Sequence, residues 1–247
     1  MEGLLLELRH ISKSFRSRKG VKRVLDDISF TFREGENMAI LGGNGSGKST
    51  LVRMMCGMEL PDSGGVRREG SVSFPLGFAG AISPSMTGRD NVRFVARIYG
   101  ANVPQVERFV YEFSELGRAY DLPVATYANS MRARLSYGLS MALKFDVYVA
   151  DEMVAVGDPA FKRKCLEVFA ERARNATVII VSSVTTSPQR FCQSGMILEN
   201  GRLGEPLPLA EAIARYGAAQ PAAPAAAAPT AAVSTAAVST AAVSTAA

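Results

Sequence analysis

Short apolar runs separated by turn residues predict a chain in which strands and helices alternate. Residues 4–9 predict a first strand, and residues 24–32 alternate apolar and polar positions as a second strand does. Two later runs are continuously apolar, which is typical of buried parallel strands: residues 38–41 and 147–150. Residues 177–182 continue the alternation as a further predicted strand. The chain is therefore predicted to have an α/β fold.

Helical periodicity interrupts this alternation between about residues 84 and 144. Apolar residues recur at helical spacing after Thr87, which with Asp90 resembles a capping box that uses Asp in the place of Glu or Gln. The remaining predicted elements are a turn at 62–65, a short strand with Val72 and Phe74, helices over 104–116, 130–144 and 159–174, a hairpin over 196–203 and a helix over 209–216.

The composition changes after Gly217. Residues 218–247 consist almost entirely of Ala, with Pro, Ser, Thr and Val, and Ala-Ala-Val-Ser-Thr occurs three times between Ala231 and Thr245. Such a segment cannot bury enough apolar surface to offset the entropy lost on ordering. We predict one folded domain over 1–217 and a disordered tail over 218–247; the prolines and hydroxyls argue against a membrane span.

One stretch matches the phosphate-binding loop pattern G-x-x-x-x-G-K-[ST] at every fixed position: Gly42-Gly43-Asn44-Gly45-Ser46-Gly47-Lys48-Ser49-Thr50. It lies between a predicted buried strand and a helical pattern, as the motif requires. Its glycines let the backbone approach phosphate oxygens at a helix N-terminus, where the helix dipole favours negative charge. We expect Lys48 to contact the β- and γ-phosphates and Ser49 to hold Mg²⁺. The loop predicts binding of a nucleoside triphosphate.

Two adjacent carboxylates, Asp151 and Glu152, follow the predicted strand at 147–150. Ligands of α/β sheets bind at the carboxyl ends of the strands. Asp151 is therefore expected to hold Mg²⁺, and Glu152 to act as the base for an attacking water. The alternative is that both are solvated residues at a strand end.

Composition and charge exclude few classes of function. The formal charge of +5 does not by itself argue for nucleic acid. The amino terminus shows no secretory signal and no apolar run is long enough to span a bilayer, so the protein is expected to be soluble or to be attached to a membrane through something else. His10 is the only histidine, and the three cysteines are too far apart in sequence to suggest a disulfide framework or a zinc site: Cys56, Cys165 and Cys192.

Basic residues are densest near the predicted first hairpin. We interpret them as a solvated hairpin loop, with contact to anionic lipid or to the nucleotide as alternatives. They are Arg16, Arg18, Lys19, Lys22 and Arg23.

Further stretches resemble the ATP-binding subunits of ABC transporters, and among them the capsular-polysaccharide exporter ATPases. The resemblance covers about residues 4–205 and is carried by residues 85–97, 137–142, 145–148 and 151–158. It implies a P-loop NTPase core with a mostly parallel sheet, an N-terminal antiparallel β subdomain and an inserted helical subdomain. It also implies that Phe15 stacks on adenine, unless Phe15 is a core residue, and that Asp158 contacts a partner subunit.

The resemblance implies a biological setting as well. The chain is expected to bind ATP and Mg²⁺, and to form a head-to-tail homodimer or heterodimer on a membrane-spanning permease. Its place would be the cytoplasmic face of the inner membrane, as a peripheral protein that powers export of capsular or similar surface polysaccharide. Neither nucleic acid nor direct sugar binding is expected.

Three positions depart from the family pattern. The signature segment, which runs like Leu-Ser-Gly-Gly-Gln in the family, corresponds here to Tyr127 followed by Ala128, Asn129, Ser130 and Met131. Ser83 stands where the family has a glutamine that links Mg²⁺ and water to the membrane subunit, and Ser183 where it has the switch histidine. Losing one preorganised donor typically slows turnover about a hundredfold or more. We therefore expect intact nucleotide binding with weak hydrolysis, or else a nucleotide-binding regulatory subunit without significant turnover.

Overall fold

Two sheets organise the part of the chain described by the computed structural model, residues 3–17, 20–77, 80, 82–152 and 154–219. The strands are β1 (Leu4–Ser17), β2 (Gly20–Arg33), β3 (Met38–Leu41), β4 (Ser63–Arg68), β5 (Val147–Asp151), β6 (Thr177–Ser182), β7 (Ser194–Glu199), β8 (Arg202–Leu203) and β9 (Leu207–Pro208). The first sheet is antiparallel, in the order β2-β1-β4. The second runs β5-β6-β3-β7-β8, with β9 also paired to β7, and its members β5, β6, β3 and β7 are parallel.

Seven α-helices surround these sheets in the described residues. They are α1 (Lys48–Met55), α2 (Gly88–Ile98), α3 (Val103–Ser114), α4 (Asn129–Ala142), α5 (Pro159–Ala173), α6 (Pro188–Phe191) and α7 (Leu209–Ala219). Helices α2 to α4 lie between β4 and β5 and form the predicted helical insertion. None of the seven has the length and apolarity needed to cross a bilayer. The architecture matches the predicted α/β class.

The parallel sheet is buried on both faces, which explains its continuously apolar strands. Ile40 and Val149 point into a cluster shared with β1, β2 and α1. Ala39 and Ala150 point to the opposite face, into a cluster shared with α5 and the helical insertion. The alternation along each strand thus places α1 and its preceding loop on one side of the sheet, and the insertion on the other.

The predicted cap of α2 is present with a different reciprocal bond. Thr87 is the N-cap residue, and its Oγ1 accepts a hydrogen bond from the Asp90 backbone N–H at 3.0 Å. The same hydroxyl donates to Asp90 Oδ2 at 2.7 Å, so the carboxylate binds the hydroxyl and not the N-cap N–H of a standard capping box.

Several predicted bounds need correction. The first two strands are longer than predicted, and Arg16, Lys22 and Arg23 lie in β1 and β2 and not in a loop; Arg18 and Lys19 lie outside the described residues. Val72 forms only an isolated bridge to Val147, without a short strand around it. Helix α7 continues to Ala219, two residues into the predicted tail, and residues 220–247 lie outside the described part of the chain.

The turn predicted at 62–65 is wrong, because Ser63 begins β4. Gly64 has φ = +78°, and a Cβ there would overlap the carbonyl oxygens of Arg9 and His10. The pairing of β4 with β1 is irregular between Arg9 and Ser12. Gly64 is therefore needed for close contact with an irregular partner strand, and this non-local constraint is invisible in a local turn pattern.

Gly64→Ala should destabilise the fold by about 3 kcal/mol, because it combines a left-handed backbone with a clash against β1. Urea unfolding followed by far-UV circular dichroism measures this. Gly65→Ala is the matched control, since a Cβ at Gly65 meets nothing within 4 Å, and it should change the free energy of unfolding by less than about 0.5 kcal/mol. Equal effects of the two substitutions would contradict the close contact.

Candidate nucleotide-binding site

The phosphate loop follows β3 and is wedged between the ends of two neighbouring strands. The Gly42 N–H donates to the carbonyl of Ser182 at the end of β6, at 3.1 Å. A Cβ at Gly42 would lie 2.8 Å from the carbonyl oxygen of Leu198 on β7 and 2.6 Å from Ser46 Oγ. The first glycine of the motif is thus required by close backbone approach, and the loop is positioned by main-chain contacts.

Lys48 opens α1 and is buried, with 8% of its side chain exposed. Its Nζ donates to the carbonyl oxygens of Gly42 and Gly43, each at 3.0 Å, and lies 3.5 Å from Glu152 Oε1. Two residues predicted for the site from distant parts of the sequence are therefore in contact. The ammonium group is held over the loop, where phosphate oxygens can replace carbonyl oxygens as its partners.

Asp151 ends β5 next to the same loop. The Ser49 hydroxyl donates a hydrogen bond to its carboxylate, while burial raises the pKa of Asp151 above the ordinary value of 3.8. Among the described residues, nothing hydrogen-bonds the buried Asp151 Oδ1. An unsatisfied buried carboxylate oxygen beside a hydroxyl is the oxygen donor set that Mg²⁺ prefers. The residues present therefore fit a divalent cation.

Glu152 adopts a backbone conformation that is uncommon outside glycine, with φ = +61°. Its N–H donates to the carbonyl of Val181 on β6 at 2.8 Å, and 45% of its side chain is exposed. Non-glycine residues in this region cluster at functional sites, where neighbours hold them in place. The turn aims Glu152 toward Lys48 and solvent, while Asp151 is half-buried with its Oδ1 inside the fold.

A cavity of about 800 Å³ borders the phosphate loop. It extends from Ser183, past the loop residues 43–46, to Val24 on β2. Its other lining residues are Lys22, Arg23, Ile197, Leu198, Glu199, Asn200, Gly201, Tyr216 and Ala219. Lys48 and Glu152, which the sequence predicts to be catalytic, do not line it, whereas Ser183 does, so the cavity provides space along the loop as far as Ser183.

Phe15 lies close to one end of this cavity. It is the cross-strand partner of Lys22, which lines the cavity, and paired residues of antiparallel strands share a face. The Phe15 side chain is partly exposed, with Lys13 Nζ 5.6 Å from its ring centre. It is not a core residue. Its stacking on adenine stays a prediction.

Ser83, proposed from the sequence as a metal contact, is hydrogen-bonded within the helical insertion. Its N–H donates to Asn91 Oδ1 at 2.7 Å, its carbonyl accepts from Asn91 Nδ2 at 3.0 Å, and its Oγ lies 3.1 Å from Ser85 Oγ. These bonds attach Ser83 to α2. They give it no contact with Asp151 or Ser49 in the described residues.

The signature segment lies at the start of α4, where Tyr127 is buried and the next three residues face solvent. Ala128 is the N-cap and makes no side-chain capping bond, and Asn129 and Ser130 are exposed, with Met131 half-buried. None of these residues lines the cavity at the phosphate loop. Within one chain, the structure does not bring the signature segment to the phosphate loop.

Asp158 is the N-cap residue of α5 and is bonded within the chain. Its Oδ1 accepts from the N–H groups of Ala160 and Phe161 at 3.0 Å, and its Oδ2 from Arg134 of α4 at 2.6 Å. The hydrogen bond from the Phe161 N–H is the main reason that the pKa of Asp158 is lowered. Arg134 thus connects α4, which begins with the signature segment, to Asp158, the residue predicted to contact a partner subunit.

Comparison with known proteins identifies the family. Residues 25–155 match the family model of the ABC transporter. This chain belongs to the ABC transporter family. It is 43% identical over 199 residues to the capsule polysaccharide export ATP-binding protein CtrD of Neisseria meningitidis serogroup B (strain ATCC BAA-335 / MC58), which covers 81% of this chain and 92% of CtrD. It is 42% identical to the polysialic acid transport ATP-binding protein KpsT of Escherichia coli, over 79% of this chain and 88% of KpsT.

Solved structures confirm the fold of this ABC transporter chain. The ATP-binding cassette MJ0796, in a dimeric post-hydrolysis state bound to ADP and Pi, matches with a TM-score of 0.70 at 18% identity, covering 83% of this chain and 99% of that one. An ATP-binding subunit of an ABC transporter matches with a TM-score of 0.68 at 24% identity, covering 86% and 93%. The predicted family and fold class are confirmed.

One part of the site escaped prediction from the sequence of this ABC transporter chain. Tyr216 and Ala219 of α7 line the cavity at the phosphate loop, although α7 follows every motif. Only the apolar spacing of α7 indicated a packed helix, and nothing in it indicated which strands it covers.

Asp151→Asn should raise the melting temperature at neutral pH in the absence of nucleotide and Mg²⁺. The pKa of Asp151 is raised in the folded state, so above that pKa the ionised carboxylate is less favourable in the fold than in the unfolded chain. As the pH falls through the raised pKa the native state takes up the proton first, and the gain from Asn should shrink.

Thermal unfolding between pH 4 and pH 7.5 measures this difference. Glu205→Gln is the control, because Glu205 is exposed and makes no ion pair with the other described residues. A gain from Asp151→Asn that does not change with pH would show that burial of the ionised group is not its cause.

Proposed function

We propose that this chain is the ATP-binding subunit of an exporter of capsular or similar surface polysaccharide. The observation that carries the proposal is the similarity to CtrD and KpsT over most of their lengths, joined to a site with Lys48, Ser49, Asp151 and Glu152 in place. The subunit is a peripheral protein on the cytoplasmic face of the inner membrane. It works with a membrane-spanning permease and does not itself bind sugar or nucleic acid.

Each side chain of the site has a role in this proposal. Lys48 leaves the carbonyl oxygens of Gly42 and Gly43 and pairs with the phosphates of ATP. Ser49 and Asp151 would hold Mg²⁺, which would neutralise phosphate charge. Glu152, half-exposed beside Lys48, orients water and accepts its proton. Phe15 stacks on the adenine from β1.

The exposed signature segment supports a dimeric working form, either a homodimer or a heterodimer with another ATP-binding subunit. Ala128, Asn129 and Ser130 are exposed at the start of a helix and lie away from the cavity of their own chain. A head-to-tail partner would place this helix start over the other chain's phosphate loop, where its N–H groups face phosphate. Asp158, at the neighbouring helix start, lies at the same contact.

Hydrolysis is proposed to be weak. Ala128 offers no hydroxyl and Ser130 replaces a glycine, so the signature segment lacks one donor and allows a less close approach. Ser183 carries a shorter side chain than histidine and cannot act as an imidazole does. Each missing donor is expected to lower turnover about a hundredfold, with smaller combined effects if the residues act as a unit. The binding residues Lys48, Ser49 and Asp151 are unaffected.

A second candidate is a nucleotide-binding regulatory subunit without significant turnover. The altered signature and Ser183 favour it, since both would contact the terminal phosphate. The retained carboxylates Asp151 and Glu152 oppose it. The two candidates differ in one measurable quantity, the rate of ATP hydrolysis.

Ser183→His should raise steady-state ATP turnover by at least about tenfold, because an imidazole reaches farther toward the terminal phosphate than the serine hydroxyl and can also act as a base. Phosphate release is measured for the full chain, alone and with its membrane subunit. Glu152→Gln in the Ser183→His background should lower the rate of phosphate release to that of Glu152→Gln alone, which serves as the blank. Equal rates for the wild type and Ser183→His, both above the blank, would mean that Ser183 is tolerated and hydrolysis is not impaired.

Deleting the gene for this chain should remove polysaccharide from the cell surface and cause it to accumulate inside. Wild-type protein should restore export, and Lys48→Ala should not, because it removes the cation that pairs with phosphate. Surface and internal polysaccharide are measured separately. Lys162→Ala, an exposed substitution on α5, should restore export fully. Normal surface polysaccharide in the deletion strain would refute the proposed export role.

A further inference from the structure

The segment that follows β6 is fixed to the phosphate loop and to α7 at once. The Ser182 carbonyl accepts from the Gly42 N–H at 3.1 Å, and Ser182 Oγ accepts from the Val184 N–H at 3.0 Å. The next carbonyl, that of Ser183, accepts from the Tyr216 hydroxyl at 3.1 Å. Three hydrogen bonds thus fix the backbone position of residues 182–184 beside the phosphate loop.

Tyr216 makes its contact from a packed position. It is 6% exposed, and its ring packs with Leu41 and Ala212 between α7 and the strand that leads into the phosphate loop. Both Tyr216 and Ser183 line the cavity bordered by the loop. The hydroxyl therefore reaches the site while the ring anchors it to the strand from which the loop begins.

We propose that Tyr216 is a positioning residue that holds the backbone of Ser183 so that the Ser183 hydroxyl meets the terminal phosphate of ATP. This rests on the proposed function, in which ATP occupies the phosphate loop. A serine hydroxyl is only one bond removed from Cβ, so its reach is set almost entirely by its backbone. A displacement on the order of 1 Å is enough to lose such a contact.

The inference predicts that removing the Tyr216 hydroxyl weakens the binding of ATP and leaves the binding of ADP nearly unchanged. Tyr216→Phe keeps the ring and removes the hydroxyl, so ATP affinity should fall about fivefold relative to ADP affinity, as expected for one hydrogen bond. ADP affinity should stay within about twofold, because ADP lacks the phosphate that Ser183 meets. In a Ser183→Ala background, Tyr216→Phe should have no further effect on the ratio, since its partner hydroxyl is already absent.

The measurement is displacement of a fluorescent ADP analogue by ATP and by ADP, with Mg²⁺, on the full chain. All proteins carry Glu152→Gln so that ATP persists during the titration. Tyr111→Phe is the control, because Tyr111 lies on α3, is 44% exposed and packs against Tyr120 away from the loop. It should leave the ratio of ATP to ADP affinity unchanged.

The outcomes separate the two proposals. A lower melting temperature for Tyr216→Phe with an unchanged ratio would make Tyr216 a structural residue only and overturn the inference. The same holds if the ratio changes equally with and without the Ser183 hydroxyl. If ATP does not bind, or if Lys48→Ala fails to weaken it, the proposed function fails and the inference fails with it.

Discussion

The close backbone approach at Gly42 is the constraint on which the site depends. Its N–H is bound to Ser182, and the Leu198 carbonyl lies where any side chain would begin. The loop is therefore positioned by the same parallel sheet that carries Asp151 on β5 and Ser183 after β6. Because main-chain contacts define the loop, its geometry does not depend on which side chains occupy its variable positions.

The same sheet explains why the core of the fold could be predicted. Strands buried on both faces have continuously apolar sequences, so β3 and β6 match the predicted residues. The phosphate loop was identifiable because the fixed residues of its motif stand at fixed spacing within one short stretch between a strand and a helix. Thr87 and Asp90 predicted the start of α2 correctly, because a helix cap is formed by residues within one turn of each other.

Contacts made across the sequence could not be predicted in this way. Gly64 has the composition of a turn, yet it lies in a strand because the irregular backbone of β1 approaches it. Tyr216 lies in a short helix whose apolar spacing says only that one face is buried. Its bond to Ser183 spans elements that no local pattern connects. Glu152 was identified from its position, but its left-handed backbone follows from the bond to Val181.

In the proposed function, the electrostatics of the site separate binding from turnover. Lys48 is satisfied by loop carbonyls, and Asp151 keeps an oxygen that no described residue satisfies, so the proposed phosphate and metal contacts would be prepared before a ligand arrives. These groups come from α1 and β5, which match the family pattern. The departures at Ser183 and Ala128 lie on other elements, and in the proposed function they would concern the terminal phosphate alone. Substitutions there can slow hydrolysis without weakening the contacts that hold the rest of the nucleotide, because the two sets share no side chain.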